Sequence, residues 1–490
     1  MKHLHTLLIV FALIIVTLTA CTPTPENATK RNMLPPIYPD YTDITIPCNI
    51  APLNFLLRDA VEAVEAKAVC DGETLVVNAK GQEVCFGLKE WKNFMEKVAG
   101  RNVKVTVTSL KDGQWTEYRT FSWHVAKDSV DAYLTYRLIE PDYEIFQNLS
   151  LRERCVENFD ERSISDYGLV GNRCMNCHTY GSQSPHLSML YVRGEGGGAI
   201  LNRDGKLSKL NIKTPDMVSG SVYFCFSPNG RHIVFSTNKI IPAFHARPSK
   251  RLEVFDSASD VYVADLEQHT ILSCGLLCDS TVFETFPTFS PDSKYIYYCA
   301  SPKVKLPMEL KDMRYSLCRI AFDETTGTLG SDVDTLFSGQ QQLASVCHPR
   351  VSPDGRFIIY TVANYGTFPI WHQETDLQLM NLETGAIDKM EAVNSDKSDT
   401  YHSWSSSCRW LVFASKRDDG LYGKPYFCYI DRQGKAQKPF VLPQKNPHFY
   451  DNCLKSFNAP EIGKGPLPFD ALDVKRSVEG PSVDFSLTEK

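Results

Sequence analysis

The chain has 490 residues, of which 43% are apolar and 22% charged, and a formal net charge of −6. That length calls for two or three domains, and the composition is that of a globular protein rather than a disordered or fibrous one. The negative balance, with no block of Lys/Arg, excludes nucleic acid as a partner, because phosphate binding needs a basic face.

Residues 1–20 read as an export signal. Lys2, His3 and His5 form a weakly basic head, and Leu7 to Leu18 is an apolar run that falls short of the ~20 residues a spanning helix needs. It ends in Leu18-Thr19-Ala20-Cys21, which resembles a bacterial lipobox and makes Cys21 the expected lipidation site. The expectation is a cell-envelope protein held by lipid alone, on the outer membrane facing the periplasm. Residues 21–40, with Thr22-Pro23-Thr24-Pro25, form a polar, Pro-rich tether.

Residues 41–170 are expected to form a β-rich, sandwich-like α+β domain. Alternation marks strands at Glu73–Val77, Val103–Ser109, Thr120–Val125 and Asp131–Leu138, with turns at Asp71-Gly72 and Asp112-Gly113. Leu88, Trp91, Phe94 and Met95 recur at helical spacing and predict one helix over Leu88 to Val98. Residues 140–171 are richer in charge and read as helical or irregular.

Residues 171–196 carry Cys174-Met175-Asn176-Cys177-His178. Two thiols at this spacing can reach the two vinyl groups of one haem, and the adjacent histidine can supply the proximal iron ligand. One covalent haem c on Cys174, Cys177 and His178 is therefore expected. A zinc site would want a second cysteine pair, for which Cys274 and Cys278 are the nearest candidates. A thioredoxin-type pair would want a βαβ setting, which Ser165 to Arg173 does not offer. For the distal side of the iron, Met189 is the first candidate and His186 a weaker one, followed by a propeller histidine such as His245, His348 or His402. An open iron completes the alternatives.

Residues 197–460 repeat themselves. Phe226-Ser-Pro-Asn-Gly-Arg-His-Ile-Val-Phe is matched at Phe289-Ser-Pro-Asp-Ser-Lys-Tyr-Ile-Tyr-Tyr and Val351-Ser-Pro-Asp-Gly-Arg-Phe-Ile-Ile-Tyr. A degenerate copy starts at Trp404, so the motif serines are Ser227, Ser290, Ser352 and Ser405, separated by 63, 62 and 53 residues. Each unit reads as an apolar strand, a tight turn and an alternating strand, followed by a second hairpin, which is the pattern of propeller blades. With a further unit starting near Gly197, a five- or six-bladed β-propeller is expected, so the chain as a whole is mainly β. Residues 461–490 carry little pattern and are read as a closing strand and tail. The 16 cysteines include Cys225, Cys299 and Cys428 inside strand-like runs, where cysteine acts as a small buried hydrophobe.

The repeats resemble TolB-like and WD-like propellers. Tyr136-Arg-Leu-Ile-Glu-Pro-Asp-Tyr-Glu-Ile-Phe146, Cys174 to His178, Glu253-Val-Phe-Asp-Ser-Ala-Ser-Asp260, Tyr401-His-Ser-Trp-Ser405 and Lys438-Pro-Phe-Val-Leu-Pro-Gln444 together look like a family of Bacteroidetes envelope lipoproteins joining a c-type haem motif to such a propeller. The resemblance implies a haem, and a methionine at about the place of Met189, but no substrate. The functional expectation is electron transfer, with the propeller docking a redox partner protein or a small ligand. The alternatives are a peroxidase-like haem enzyme, and a scaffold with structural haem that binds peptide or glycan.

Overall fold

The computed structural model describes residues 24–141, 147–247 and 250–488. Cys21 and the export signal lie outside the described residues. The chain divides into two compact units, one comprising residues 1–43, 52–125 and 444–451, the other residues 44–51, 126–443 and 452–490.

In the first unit Ala63–Cys70 pairs antiparallel with Glu73–Lys80 and with Asn102–Lys111. Asp71 and Gly72 (φ 46° and 89°), like Asp112 and Gly113 (φ 51° and 72°), take the left-handed conformations of a two-residue hairpin turn. Helix α1 (Leu88–Val98) buries Trp91, Phe94 and Met95 of the expected face, together with Val98, while Leu88 at its start is exposed. Trp91 meets Trp123 edge-on at 5.6 Å, and the Trp123 indole N–H donates to the Tyr41 carbonyl at 2.8 Å.

The second unit is a β-propeller, and its described residues include six sheets that are antiparallel apart from two parallel edge strands. Their innermost strands are β1 (Met175–Gly181), β2 (Ser221–Phe226), β3 (Val282–Phe289), β4 (Ser345–Val351), β5 (Asp399–Trp404) and β6 (Ser456–Gly463). These lie against one another in chain order, and β6 returns to β1. The last sheet is composite: β6 pairs with Tyr133–Ile139, which continues outward through Ser150–Cys155 to Glu161–Asp166.

The repeated serines explain why each unit turns where it does. Ser227, Ser290, Ser352 and Ser405 each accept the backbone N–H five residues on, at 3.0 to 3.1 Å. The same hydroxyls donate to Asn229, Asp292 and Asp354, or meet Ser407. A short polar side chain that satisfies a buried amide inside a hairpin is the local signal repeated along the chain.

Four boundaries differ from expectation. The propeller unit starts at residue 126, well before 197, because Tyr133–Ile139 is completed by a strand from the far end of the chain, a pairing no local pattern can reveal. Residues 150–166, expected to be helical or irregular, form two strands whose charges are paired across the sheet: Arg152 with Glu161 at 2.7 Å and Arg162 with Glu153 at 2.6 Å. Residues 171–196 are no linker but the first hairpin of a blade, β1 with Ser184–Val192. The closing strand precedes residue 464, and beyond it lies helix α2 (Ala471–Glu479), capped by Asp470 accepting from the amides of Leu472 and Asp473. Ser482–Asp484 and Ser486–Leu487 then add as parallel strands to the outer edges of two blades. All 15 described cysteines are free.

Replacing Ser352 with Ala should orphan the buried Phe357 amide and lower stability by about 1–3 kcal/mol. The check is the urea midpoint of the propeller transition; an unchanged midpoint would refute this role for the serine.

Candidate functional site: a cation-lined cavity at the propeller axis

Every inner strand carries a bulge at an equivalent place. The register breaks at Met175/Cys177 in β1, Val222/Cys225 in β2, Thr285/Thr288 in β3, Cys347/Arg350 in β4 and Thr400/Ser403 in β5, and opposite Thr135/Arg137 in β6. In five of them a non-glycine residue sits in the left-handed region: Tyr223, Phe286, His348, Tyr401 and Ala459, with φ between 47° and 53°. Such bulges re-aim side chains. Here they bring four rings together, with centroids 4.5 Å apart for Tyr223–Phe286, 4.1 Å for Phe286–His348 and 4.7 Å for His348–Tyr401.

Three of these rings, Tyr223, His348 and Tyr401, border a cavity of about 120 Å³. Its described lining includes Arg137, Arg193, Arg350 and Lys416 against one carboxylate, Glu140. Arg137 comes from Tyr133–Ile139, Arg350 from β4, and Lys416 from the end of Trp410–Ser415. Trp371, on a short turn after Phe368, contributes an apolar wall. His178 and His348 reach the same space, and among the described residues no nitrogen of either ring meets a partner at good hydrogen-bonding geometry, the Thr135 backbone making a weak contact with His178. Burial, reinforced by Arg137, pushes the His178 pKa down to about 3. Burial, then Arg350, His402 and Arg137, holds His348 well below its usual value. Both imidazoles are neutral at physiological pH. His402 is tied up, with Nε2 2.9 Å from the Ile359 carbonyl.

A second buried polar group lies close by. Asn238, also in the lining, donates to Asp256 at 3.0 Å and to Thr285 at 3.0 Å, and Tyr315 donates to Asp256 at 3.3 Å. Burial raises the Asp256 pKa to about 7. Glu253 accepts from Tyr365 at 2.9 Å and contacts His372 Nε2 at 2.9 Å. Glu253 and Asp256 stand in the motif Glu253 to Asp260, but nothing in its wording marks them as buried. A carboxylate within an otherwise apolar β-run is the only signal available.

Of the expected haem residues, Cys177 and His178 both line the cavity, while Cys174, Met189 and His186 do not. Cys174 packs on the apolar core against the composite sheet, among Ile139, Met175, Tyr180 and Leu190. Cys177 packs on the opposite face, against the core of the next blade. Met189 belongs to that second core with Ala199, Leu201, Phe224 and Ile233. His186 is exposed at the hairpin end, 3.4 Å from Asp204. The side chain of His245 lies outside the described residues.

Six of the buried groups shape the response of the propeller to pH between about 4 and 8. His178, His348 and His402 have depressed pKa values, while Asp256 and Glu461 are raised to about 7 and Glu284 to about 8, all chiefly by burial. Between about pH 4.5 and 6.5 the unfolded chain protonates three histidines while the folded chain keeps three carboxyls protonated, so the two contributions offset. Above about pH 6.5 only the folded state holds the extra protons, and stability falls as pH rises towards about 8. Below about pH 4 the unfolded state takes up more protons and stability falls again. Urea midpoints across pH 4–8.5 should show this acid-side plateau, with a smaller alkaline decline in Asp256→Asn; a maximum at pH 8 would contradict it.

No family model and no curated protein sequence matches the chain. Among solved structures it is similar to an oligogalacturonate lyase in complex with manganese, at 11% identity and TM-score 0.36 over 62% of this chain and 72% of that one. It is also similar to a puromycin-hydrolyzing peptidase of Mycobacterium tuberculosis, at 13% identity and TM-score 0.34, covering 71% of this chain and 52% of the peptidase. The β-propeller domain of the Trilobed protease from Pyrococcus furiosus matches at 12% identity and TM-score 0.29, over 54% and 71% of the two chains. These are a lyase and peptidases, and likenesses this distant transfer no activity. The expectation of a haem relay is corrected here, and with it the peroxidase-like and structural-haem alternatives. The two thiols stand on opposite faces of one blade, and among the described residues no three His, Cys, Asp or Glu side chains converge to hold a metal.

Proposed function

We propose that the propeller is a binding module for a small anionic ligand, held in the axial cavity. The observation that carries this reading is the charge of the lining: Arg137, Arg193, Arg350 and Lys416 all border the cavity, and Glu140 is the one acid in its described lining, on a chain whose net charge is −6. Concentrating cations in a closed space against the sign of the whole molecule costs desolvation, and an anionic guest offsets it through charge-assisted hydrogen bonds. A cavity of about 120 Å³ suits a small molecule rather than a polymer. Neutral His178 and His348 add hydrogen-bonding capacity without further charge, and Tyr223, Tyr401 and Trp371 supply flat apolar surface.

The six sheets are read as six blades, with β6 closing the ring. Export and lipid attachment at Cys21 to the periplasmic face of the outer membrane belong to the same proposal. Its support is the apolar run and the lipobox-like Leu18 to Cys21. No described helix is long and apolar enough to cross a membrane.

Calorimetric titration of the purified protein with oxalate and other small dicarboxylates should show saturable binding that weakens with salt. Arg350→Gln should lower the affinity about 10- to 100-fold, the value of one charge-assisted contact. If no small anion binds the wild type, the reading fails. In cells, Cys21→Ala should move the protein from the membrane to the soluble fraction, and membrane retention would overturn the anchor.

A further inference from the structure

Lys416 is the most deeply buried of the four cations that line the cavity. It is 6% exposed, yet among the described residues its Nζ has no hydrogen bond or ion pair. Its one close contact is the Trp371 ring, with Nζ 4.3 Å from the centroid. The backbone on either side is fixed, Lys416 N–H donating to Ser398 at 2.9 Å and its carbonyl accepting from Gly420 at 2.8 Å. The side chain is thus carried on the rim of a blade and delivered into the space that also receives Arg137, Arg193 and Arg350. A structural lysine at such a place would be paired with a carboxylate, as Lys424 is with Asp418 at 2.6 Å two strands' width away in sequence. Lys416 has only the more distant attraction of Asp419, which does not outweigh burial, and its pKa is lowered to about 8.

Resting on the anion-binding reading above, we propose that Lys416 is a carbonyl-capturing residue, and that the ligand of the cavity is an anionic aldehyde or ketone such as a 2-oxo acid. The arginines hold the carboxylate and leave the carbonyl carbon beside Nζ. The amine lone pair adds to that carbon, and the proton lost by nitrogen passes to the former carbonyl oxygen to give a carbinolamine. Loss of that oxygen as water leaves an imine. One C=O is exchanged for one C=N, water is the only by-product, and no oxidant or reductant takes part. A lysine desolvated beside other cations is the setting in which an amine stays neutral enough for this addition.

The test uses the purified protein with glyoxylate and cyanoborohydride, followed by peptide mapping. Lys416 should be alkylated at least about tenfold faster than exposed lysines such as Lys67 at pH 7, with a midpoint near pH 8. Oxalate, which has no electrophilic aldehyde or ketone, should protect it, and in Lys416→Arg the fast site should vanish from the peptide map. If oxalate binds but Lys416 reacts no faster than surface lysines, imine formation is overturned and anion binding stands. If oxalate neither binds nor protects, the reading beneath it falls as well. Fast labelling of Lys416 that oxalate does not slow would place the reactive amine outside the anion site and overturn the proposal in this form.

Discussion

The recurring bulge in the inner strands is the constraint on which the rest depends. A regular antiparallel strand alternates its side chains between two faces, which in a propeller would all go to the packing between blades. One extra residue per inner strand breaks that alternation. It re-aims Tyr223, Phe286, His348, Tyr401 and Ala459, and the left-handed φ each adopts is a conformational cost of order 1 kcal/mol or more. Five such costs borne at equivalent places, none by glycine, show the packing of the ring overriding local preference. The cavity and its polar lining exist because the inner strands do not run straight.

The electrostatics follow from that geometry. Burial moves several ionisable groups in and beside the space towards their neutral forms. His178 and His348 lose their protons, Asp256 keeps its own, and Lys416 is drawn down to about 8. Arginine resists this, since its guanidinium stays charged in any protein setting. The result is a compartment where three guanidiniums supply the permanent charge and the other groups serve as neutral donors, acceptors or nucleophiles.

Much of the architecture was legible in the sequence. The serine-turn motif announced the blades because its hydroxyl has one job, capping the amide five residues on, and that job is local. Helix α1 was legible for the same reason. What stayed hidden depends on long-range pairing: the strand Tyr133–Ile139 looks like part of the N-terminal domain until β6 is known to lie beside it. The site was harder to read. Cys174 to His178 has the spacing of a haem anchor, but spacing says nothing about which face each side chain takes. A bulge within the motif places the thiols on opposite sides of a blade. Arg137, Arg193, Arg350 and Lys416 are scattered along the sequence and share no motif, so only the closed ring assembles them.

The composite sheet has a consequence for how the chain acquires its fold. Tyr133 and Gly463 are partners in one ladder, and Glu461, next to that pair, also accepts from Thr179 and the Tyr180 amide at 3.0 Å each. A growing or translocating polypeptide can fold successive hairpins as they emerge, but until β6 arrives Tyr133–Ile139 has an open edge towards the axis. Ring closure is therefore a late, high-contact-order event, entropically expensive and slow. Until then, an incomplete chain exposes an unpaired strand edge of the kind that invites association with a neighbour. The same strand that seals the cavity sets the time at which the protein stops being a hazard to itself.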